Sequence, residues 1–524
     1  MRNQGIGSWT ARRARKTPRS VAMVSGDQQW TYAELESRVA ALARGLAELG
    51  IGAGDRVGYL GPNHPTFLET LFALGRLGAV FVPLNTRLAA PELAYQLQDS
   101  GSRALVCSGS PAVADAAAGL ARTVGLKHWI ALPGALEQPP VEGALVAYED
   151  LITGGSAGAG GDTGPEQSEL PDLAVGLDDV CIIMYTSGTT GRPKGATLTH
   201  GNITWNAVNV LVDADFRDDE VTLVTAPMFH TAALNMSLLP TLLKGGRVVI
   251  EPGFEPERAV DLIETAGVTC LFGVPAMYAS ILQSPRWAQV DLSRVRNLLC
   301  GGAPVPEPLI RAYTERGLSF IQGYGMTETS PGALLLDRDR VQTKLGSAGY
   351  PHFFTDVKVV RPDGSEVGVG EKGEIVVQGP NVMAGYWQNP QATATSLVDG
   401  WFHTGDVAVV DTDGAVYVVD RIKDMIISGG ENIYPAEVES ALHEHPAVLD
   451  CAVIGVPDEK WGEVGRAVVV LVPGQEFTVE QMREFLTERL ARYKIPRSLS
   501  VVEALPRNAS GKILRKNLRE SPPA

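Results

Sequence analysis

The amino-acid sequence predicts an α/β protein: a large N-terminal domain of layered α/β subdomains, a β-rich lobe, and a small C-terminal α+β domain. Three observations predict it. From residue 30 onward, apolar runs of strand length alternate with amphipathic helical segments, the rhythm of a parallel sheet covered by helices. Residues 361–373 concentrate turn signals between two short apolar runs, 357–360 and 373–379, the pattern of a β-rich lobe. Past residue 420 the charge balance changes: residues 421–524 carry 14 Lys+Arg against 15 Asp+Glu, so almost all of the net charge of -15 lies upstream. Domains are therefore expected at 1–420 and 421–524.

The elements follow in order. Thr31 opens the amphipathic segment TYAELESRVAALARGLAELG; Glu34 completes a capping box, and Gly50 supplies the stop. The run 55–60 (DRVGYL) reads as a strand, 66–78 as a helix and 79–84 (AVFVPL) as a strand. Similar units centre on ALVCSG (104–109), VTLVTAP (221–227), RVVIEP (247–252) and TCLFGVP (269–275). Residues 153–170, rich in Gly, Ala and Pro, read as a surface connection. In the last domain, 434–445 reads as a helix, CAVIGV (451–456) and AVVVLV (467–472) as strands. Thr478 and Gln481 cap a helix over 479–493.

Composition excludes several classes. At 524 residues, 44% hydrophobic and 20% charged, the chain is globular and larger than one small module. A net charge of -15 argues against nucleic acid as a partner. The N-terminus is basic, but no apolar run of ~7–15 residues follows it, so no secretory signal is expected. No run of ~18 apolar residues occurs, so no membrane span is expected. Cys107, Cys181, Cys270, Cys300 and Cys451 lack Cys-x-x-Cys spacing. They are expected to be small buried hydrophobes in a cytoplasmic protein, not disulfides or zinc ligands. Gly is abundant at 57 residues, which suits either a flexible chain or a loop-rich enzyme.

The sharpest local signal is Tyr185-Thr-Ser-Gly-Thr-Thr-Gly-Arg-Pro-Lys-Gly195, which follows the apolar run 181–184. Its glycines permit tight turns whose N–H groups converge on an anion; Thr186, Ser187, Thr189 and Thr190 add hydroxyls, and Lys194 adds a positive charge. Such a loop suits a polyphosphate, although the same composition also suits a mobile surface loop. It is not a Walker A loop, because Lys194 is followed by Gly195 and Ala196.

This loop resembles the signature of the acyl-adenylate-forming enzymes: acyl- and aryl-CoA synthetases, peptide-synthetase adenylation domains and firefly-type luciferases. Further motifs follow in the family's order over essentially the whole chain. They are Ala226-Pro-Met-Phe-His230, Phe272-Gly-Val-Pro275, Cys300-Gly-Gly-Ala-Pro304, Gln322-Gly-Tyr-Gly-Met-Thr-Glu-Thr329, Trp401-Phe-His-Thr-Gly-Asp406, Asp420-Arg-Ile-Lys-Asp424 running on to Asn432, and Asn508-Ala-Ser-Gly-Lys512.

The resemblance implies an ATP-dependent acid–CoA ligase that uses Mg²⁺ and coenzyme A and proceeds through an acyl-AMP. It implies that Thr186, Ser187, Gly188, Thr189, Thr190, Gly191 and Lys194 cradle the β- and γ-phosphates. Lys512 bridges the α-phosphate and the substrate carboxylate. Thr327 contacts the α-phosphate and Glu328 is the Mg²⁺ ligand, in keeping with that ion's preference for one or two carboxylates beside phosphate and water. Gln322, Gly323, Tyr324 and Gly325 hold the nucleotide, with Tyr324 on adenine, while Gly301, Gly302 and Ala303 line the nucleotide–acyl junction. Asp406 takes the ribose hydroxyls and Arg421 the ribose or phosphate. Residues 420–424 form a hinge centred on Lys423, about which the small domain is mobile. Ser428, Gly429 and Gly430 lie along pantetheine. His230, Met228, Asn235, Met326 and Ala333 surround the acyl group.

Within the family, Met1-Arg-Asn-Gln-Gly-Ile-Gly-Ser-Trp9, Gly61-Pro-Asn-His-Pro65, Leu198-Thr-His-Gly-Asn-Ile-Thr-Trp-Asn206 and Pro380-Asn-Val-Met-Ala-Gly-Tyr-Trp387 are similar to actinomycete feruloyl-CoA synthetases. That implies ferulate and related hydroxycinnamates as substrates. Medium- or long-chain fatty acids are the alternative acids, and a stand-alone adenylation enzyme loading a carrier protein is the alternative class. No carrier module is expected within the 12 residues after Lys512. A non-catalytic nucleotide binder is opposed by the joint presence of Lys194, Glu328, Asp406, Arg421 and Lys512. A monomer or homodimer is expected.

Overall fold

The computed structural model describes residues 3–108, 120, 125–132, 145–153, 173–186, 193–303, 305–421, 424–428, 431–458, 461–487, 489–490, 492–507 and 513–520. The chain forms two compact units. The first comprises Met1–Gly346, Pro351–Asp356 and Gln378–Gly400; the second comprises Ser347–Tyr350, Val357–Val377 and Trp401–Ala524. The β-rich lobe thus shares a compact unit with the C-terminal region.

Local chemistry sets the first unit's elements. In the helix Tyr32–Glu48, Thr31 Oγ1 accepts from Glu34 N, and the Glu34 carboxylate accepts from Thr31 N at 2.7 Å. This reciprocal pair satisfies two of the donors that a helix start leaves unbonded. Gly50 follows the last turn at φ +77°. The next helix, Pro65–Leu77, begins one residue earlier than expected because His64 caps it, its ring Nδ1 accepting from Thr66 N at 3.3 Å.

One sheet runs, in spatial order, Gly385–Tyr386, Lys194–Thr199, Val180–Thr186, Val80–Pro83, Arg56–Leu60, Ala104–Cys107, His128–Ala131 and Leu145–Ala147. From Val180–Thr186 to the last strand the pairings are parallel. Val180–Thr186 and Lys194–Thr199 form an antiparallel hairpin whose outermost pair is Thr186 with Lys194. A second sheet carries, in order, Gly332–Leu336, Phe320–Gly325, Asn297–Gly301, Cys270–Gly273, Val221–Val224, Arg247–Ile250, Val21–Ser25 and Gln28–Thr31. Its strands from Phe320–Gly325 to Val21–Ser25 are parallel. The buried side chains Ala226, Met236, Phe272, Leu299, Ile321 and Leu335 pack together in one apolar cluster of this unit.

In the second unit, the lobe strands Asp356–Val360, Gly373–Gln378 and Trp401–Val410 lie in order, with Val416–Arg421 paired to Trp401–Val410. The C-terminal sheet orders Glu431–Ile433, Ile426–Ser428, Gly462–Leu471 and Val448–Asp458, with Ser498–Val501 parallel to Gly462–Leu471. Lys372 of the lobe places its ammonium 3.7 Å from the ring centroid of Tyr434. Burial there lowers its pKa.

The capping box of Thr478 and Gln481 is present, with Thr478 N donating to Gln481 Oε1 at 2.8 Å. The helix it starts is shorter than expected, Val479–Thr487, and Arg492–Lys494 form a separate tight turn. Pro496 lies just beyond and disfavours helix in the residue before it. Helix 434–445 is observed as Pro435–His443. The surface connection expected at 153–170 lies outside the described residues apart from Thr153, which ends the helix Tyr148–Thr153. All five cysteines are buried and unpaired in disulfides. Among the described residues, no helix is long and apolar enough to cross a membrane.

Candidate active site

In an open parallel sheet, ligands bind beyond the carboxyl ends of the strands, at the point where strand order reverses. The second sheet has such a point. The chain passes from Val221–Val224 to a neighbour on one side, Arg247–Ile250, and then to Cys270–Gly273 on the other. The motif ending at His230 follows the first of these strands, and Phe272-Gly-Val-Pro275 closes the last. Cys300-Gly-Gly-Ala and Gln322 to Thr329 leave the ends of the next two parallel strands. Four motifs far apart in sequence therefore emerge along one sheet edge.

Gly301 and Gly323 are paired across adjacent strands, and a Cβ on Gly301 would lie 3.0 Å from Gly323 O. Gly302 and Ala303 are exposed, leaving backbone accessible to a ligand. Gln322 is buried, and Gly323 and Tyr324 are half-buried. Gly325 ends its strand where a Cβ would lie 1.6 Å from Pro331 O. Beyond it, Thr327–Thr329 forms a single tight turn, fastened by Met326 N donating to Thr329 Oγ1 at 3.1 Å.

That turn delivers Glu328. Its Oε1 accepts from Thr186 Oγ1 at 3.4 Å and from Tyr386 OH at 2.9 Å. Lys194, paired with Thr186, holds its ammonium 4.8 Å from the Tyr386 ring centroid. The structure thus brings together Thr186, Lys194 and Glu328. Among the described residues, Oε2 of Glu328 accepts no hydrogen bond. A single buried carboxylate beside a hydroxyl offers oxygen ligands that fit Mg²⁺, and the Lys194 ammonium on the same hairpin suits the polyphosphate that Mg²⁺ accompanies. Ser187, Gly188, Thr189, Thr190 and Gly191 lie outside the described residues.

Of the residues expected around the acyl group, Met228 and Ala333 are buried and Met326 is half-buried. Asn63, in the Gly-Pro-Asn-His-Pro motif, donates to Ala226 O at 3.0 Å and accepts from Met228 N at 2.8 Å, so it fixes the strand exit. Asn235 sits in a π-helical turn, Leu234–Leu238, and donates to Thr231 Oγ1 and Ser330 O. Such turns recur at functional sites. Asn206 donates to Asn235 O and accepts from Gly332 N; Asn381 donates to Thr329 O and Gly332 O. Residue chemistry alone did not mark Asn63, Asn206, Asn381 or Tyr386 as site residues. The signal available was their position inside the quoted strings.

His230 stacks at 4.7 Å on Phe229, and burial, with a smaller push from Arg87, lowers its pKa to about 4. That shift favours the neutral imidazole at pH 7. Burial likewise lowers His200 to about 4; its Nδ1 accepts from Ile6 N at 3.2 Å. On unfolding below about pH 6.5 each ring regains its proton, so the unfolded chain binds more protons than the folded one. Stability is therefore fully present above pH 6.5 and falls as pH drops toward 4. The expected result is a denaturation midpoint that falls between pH 7 and pH 5. A His200→Gln variant should lose less over that range, by on the order of 2 kcal/mol.

In the second unit, antiparallel register pairs Asp406 with Arg421. Asp406 is buried, and its N–H donates to Thr404 Oγ1 at 3.1 Å. The Glu374 carboxylate accepts from Gly405 N at 2.9 Å and contacts His403 Nδ1 at 2.8 Å, fastening the turn before Asp406. Ser428 pairs with Glu431 and Gly462. Lys423, Gly429, Gly430 and Lys512 lie outside the described residues.

With this geometry in hand, comparison with known proteins is direct. Residues 10–387 match the AMP-binding enzyme family, and 437–512 match the AMP-binding enzyme C-terminal domain. A feruloyl-CoA synthase of Amycolatopsis is 56% identical over 519 residues, covering 99% of both chains. A long-chain fatty-acid–CoA ligase of Mycobacterium tuberculosis is 40% identical, covering 99% of this chain and 98% of that one. The o-succinylbenzoate CoA synthetase of Bacillus subtilis, solved with its acyl-adenylate, superposes with a TM-score of 0.85 at 35% identity over 99% of each chain. The same enzyme has also been solved with ATP and a magnesium ion (TM-score 0.84, 35% identity, 98% of this chain and 99% of that chain). The chain belongs to the AMP-binding enzyme family. It is an AMP-forming acid–CoA ligase that uses ATP, Mg²⁺ and coenzyme A, as its motifs implied.

Proposed function

We propose that this chain is a hydroxycinnamate–CoA ligase acting on ferulate and its close analogues. The observation that carries the reading is its full-length similarity to the Amycolatopsis feruloyl-CoA synthase, well above its similarity to the fatty-acid–CoA ligase. A carboxylate repels nucleophiles, so it must first gain a leaving group. A substrate carboxylate oxygen attacks the α-phosphorus of ATP, and the bond to pyrophosphate breaks. The coenzyme A thiol gives up its proton to solvent, its sulfur attacks the acyl carbon, and AMP departs with the C–O electron pair.

In this reading Thr186, Lys194 and loop residues 187–191 receive the β- and γ-phosphates, where donors and cations offset developing charge. Thr327 meets the α-phosphate and Glu328 holds Mg²⁺, which when bound neutralises phosphate charge. Gly301, Gly302, Ala303, Gln322, Gly323, Tyr324 and Gly325 form the adenine side; Asp406 and Arg421 take the ribose. Lys512 spans the α-phosphate and the substrate carboxylate. Met228, His230, Asn235, Met326 and Ala333 bound the acyl end, with His230 contributing shape and not a proton. Residues 1–420 and 421–524 act as catalytic body and lid, turning about Lys423 between the two steps so that Ser428, Gly429 and Gly430 meet pantetheine. The five buried, disulfide-free cysteines support a reducing, cytoplasmic location.

The test is a substrate panel with ATP and Mg²⁺, with and without coenzyme A, reading pyrophosphate, AMP and thioester. Ferulate, p-coumarate and caffeate should all give AMP and thioester, and octanoate should not. Octanoate turnover without hydroxycinnamate turnover would reassign the substrate to fatty acids.

A further inference from the structure

Tyr386, inside the string Pro380 to Trp387 but assigned no role by it, touches both charged groups of the phosphate site. It ends the strand Gly385–Tyr386, which pairs antiparallel with Lys194–Thr199 in the register Tyr386 with Ala196. Residues two apart on a strand share a face, so the Tyr386 ring lies beside the Lys194 side chain. The ammonium sits 4.8 Å from the ring centroid, within cation–π range. The phenol reaches the other way, donating to Glu328 Oε1 at 2.9 Å. The surrounding segment is fastened to the same two elements. Met383 N donates to Glu328 O at 2.8 Å, and Trp387 N donates to Gly195 O at 2.7 Å. The strap 381–387 thus ties the Glu328 turn to the hairpin that carries Lys194.

We infer that Tyr386 is a positioning residue for both charges. Its hydroxyl holds one oxygen of the Glu328 carboxylate so that the other is presented to Mg²⁺, and its ring holds the Lys194 ammonium for the polyphosphate. This rests on the roles given to Glu328 and Lys194 in the proposed function. A carboxylate that must ligate a cation in one orientation gains from a neutral donor that fixes its rotamer without adding charge. Partners of metal ligands commonly act this way. A tyrosine at this register does so while also stacking under the lysine; phenylalanine keeps only the second contact and leucine keeps neither.

The two contacts predict separable defects in the full-length protein. Tyr386→Phe keeps the ring and loses the donor. The Mg²⁺ concentration for half-maximal ferulate-dependent ATP–pyrophosphate exchange should rise about 10-fold. ATP affinity without Mg²⁺, measured by calorimetry, should be unchanged, as should the thermal midpoint. Tyr386→Leu loses the ring as well and should also weaken metal-free ATP binding by about 3-fold. Wild-type Mg²⁺ dependence in Tyr386→Phe would overturn the proposal. So would an equal loss of metal-free and Mg²⁺-supported ATP binding in that variant. If Tyr386→Leu does not fold, Tyr386→Phe alone decides the hydroxyl's role. Absence of exchange with any hydroxycinnamate in the wild type would overturn the functional reading instead, while calorimetry of ATP with and without Mg²⁺ would still decide Tyr386.

Discussion

Replacing Lys512 by alanine should reduce ferulate-dependent acyl-AMP formation by about 10²–10³-fold, the loss usual when one preorganised charge at a transition state is removed. Thioester formation from supplied feruloyl-AMP should survive. The physical reason is specific to the first step. Two anions, a carboxylate and a polyphosphate, must approach within bonding distance, and an ammonium between them offsets their repulsion. In the second step the acyl group is already attached to AMP, and coenzyme A attacks a neutral acyl carbon. A lysine needed only against anion–anion repulsion is dispensable there. The measurement is paired: pyrophosphate release from ATP and ferulate, and coenzyme A consumption from synthetic feruloyl-AMP. Equal loss of both half-reactions would remove Lys512 from this role and make it a general structural residue of the C-terminal domain. An unchanged first step would leave it as one more lysine of the basic run KILRKNLR in which it stands.

Which features could be read in advance follows from how local their causes are. The capping boxes at Thr31 with Glu34 and Thr478 with Gln481 involve residues three apart, and both are present. Strands such as Val221–Val224 and Cys270–Gly273 were legible because a buried parallel strand reads as a continuous apolar run. Glu328, Thr186 and Lys194 were legible as members of motifs, and the sheet brings them together. Tyr386 was not, because its bond to Glu328 spans 58 residues and exists only through sheet order. The same holds for Asn63, whose partners Ala226 and Met228 lie more than 160 residues away. The β-rich lobe read correctly as a set of strands. Its membership of the C-terminal compact unit depends on contacts such as Lys372 over Tyr434, which no local pattern encodes. His64 was missed as a cap because histidine is outside the usual capping set, and only the ring geometry reveals the acceptor.

Gly325→Ala should be the most damaging single-methyl change in the site. A Cβ at this position would lie 1.6 Å from Pro331 O and 2.7 Å from Pro331 C, both backbone atoms that no rotamer change can move aside. The strand end must therefore separate from the returning chain. Two features hold that chain in place: Met326 N donates to Pro331 O at 3.1 Å, and Gly325 pairs with Gly332 across a register shift. Overpacking of this kind costs about 1–3 kcal/mol, and more where backbone is the obstacle. The larger consequence is geometric. The displaced segment leads directly into Met326, Thr327 and Glu328, and a shift of about 1 Å at a reacting centre costs on the order of 10²-fold in rate. The expected variant is folded, with a lower denaturation midpoint and adenylation reduced by about 10²-fold or more. The control is Gly253→Ala, where an added Cβ meets nothing within 4 Å and the backbone is outside the left-handed region. That change should leave stability within about 1 kcal/mol and activity intact. Because Glu328 keeps its carboxylate in Gly325→Ala, raising Mg²⁺ should recover only part of the lost rate. Full recovery at high Mg²⁺ would mean that the turn tolerates displacement and that metal affinity alone had changed. Wild-type stability together with wild-type adenylation would mean that the contact between Gly325 and Pro331 does not constrain the site at all.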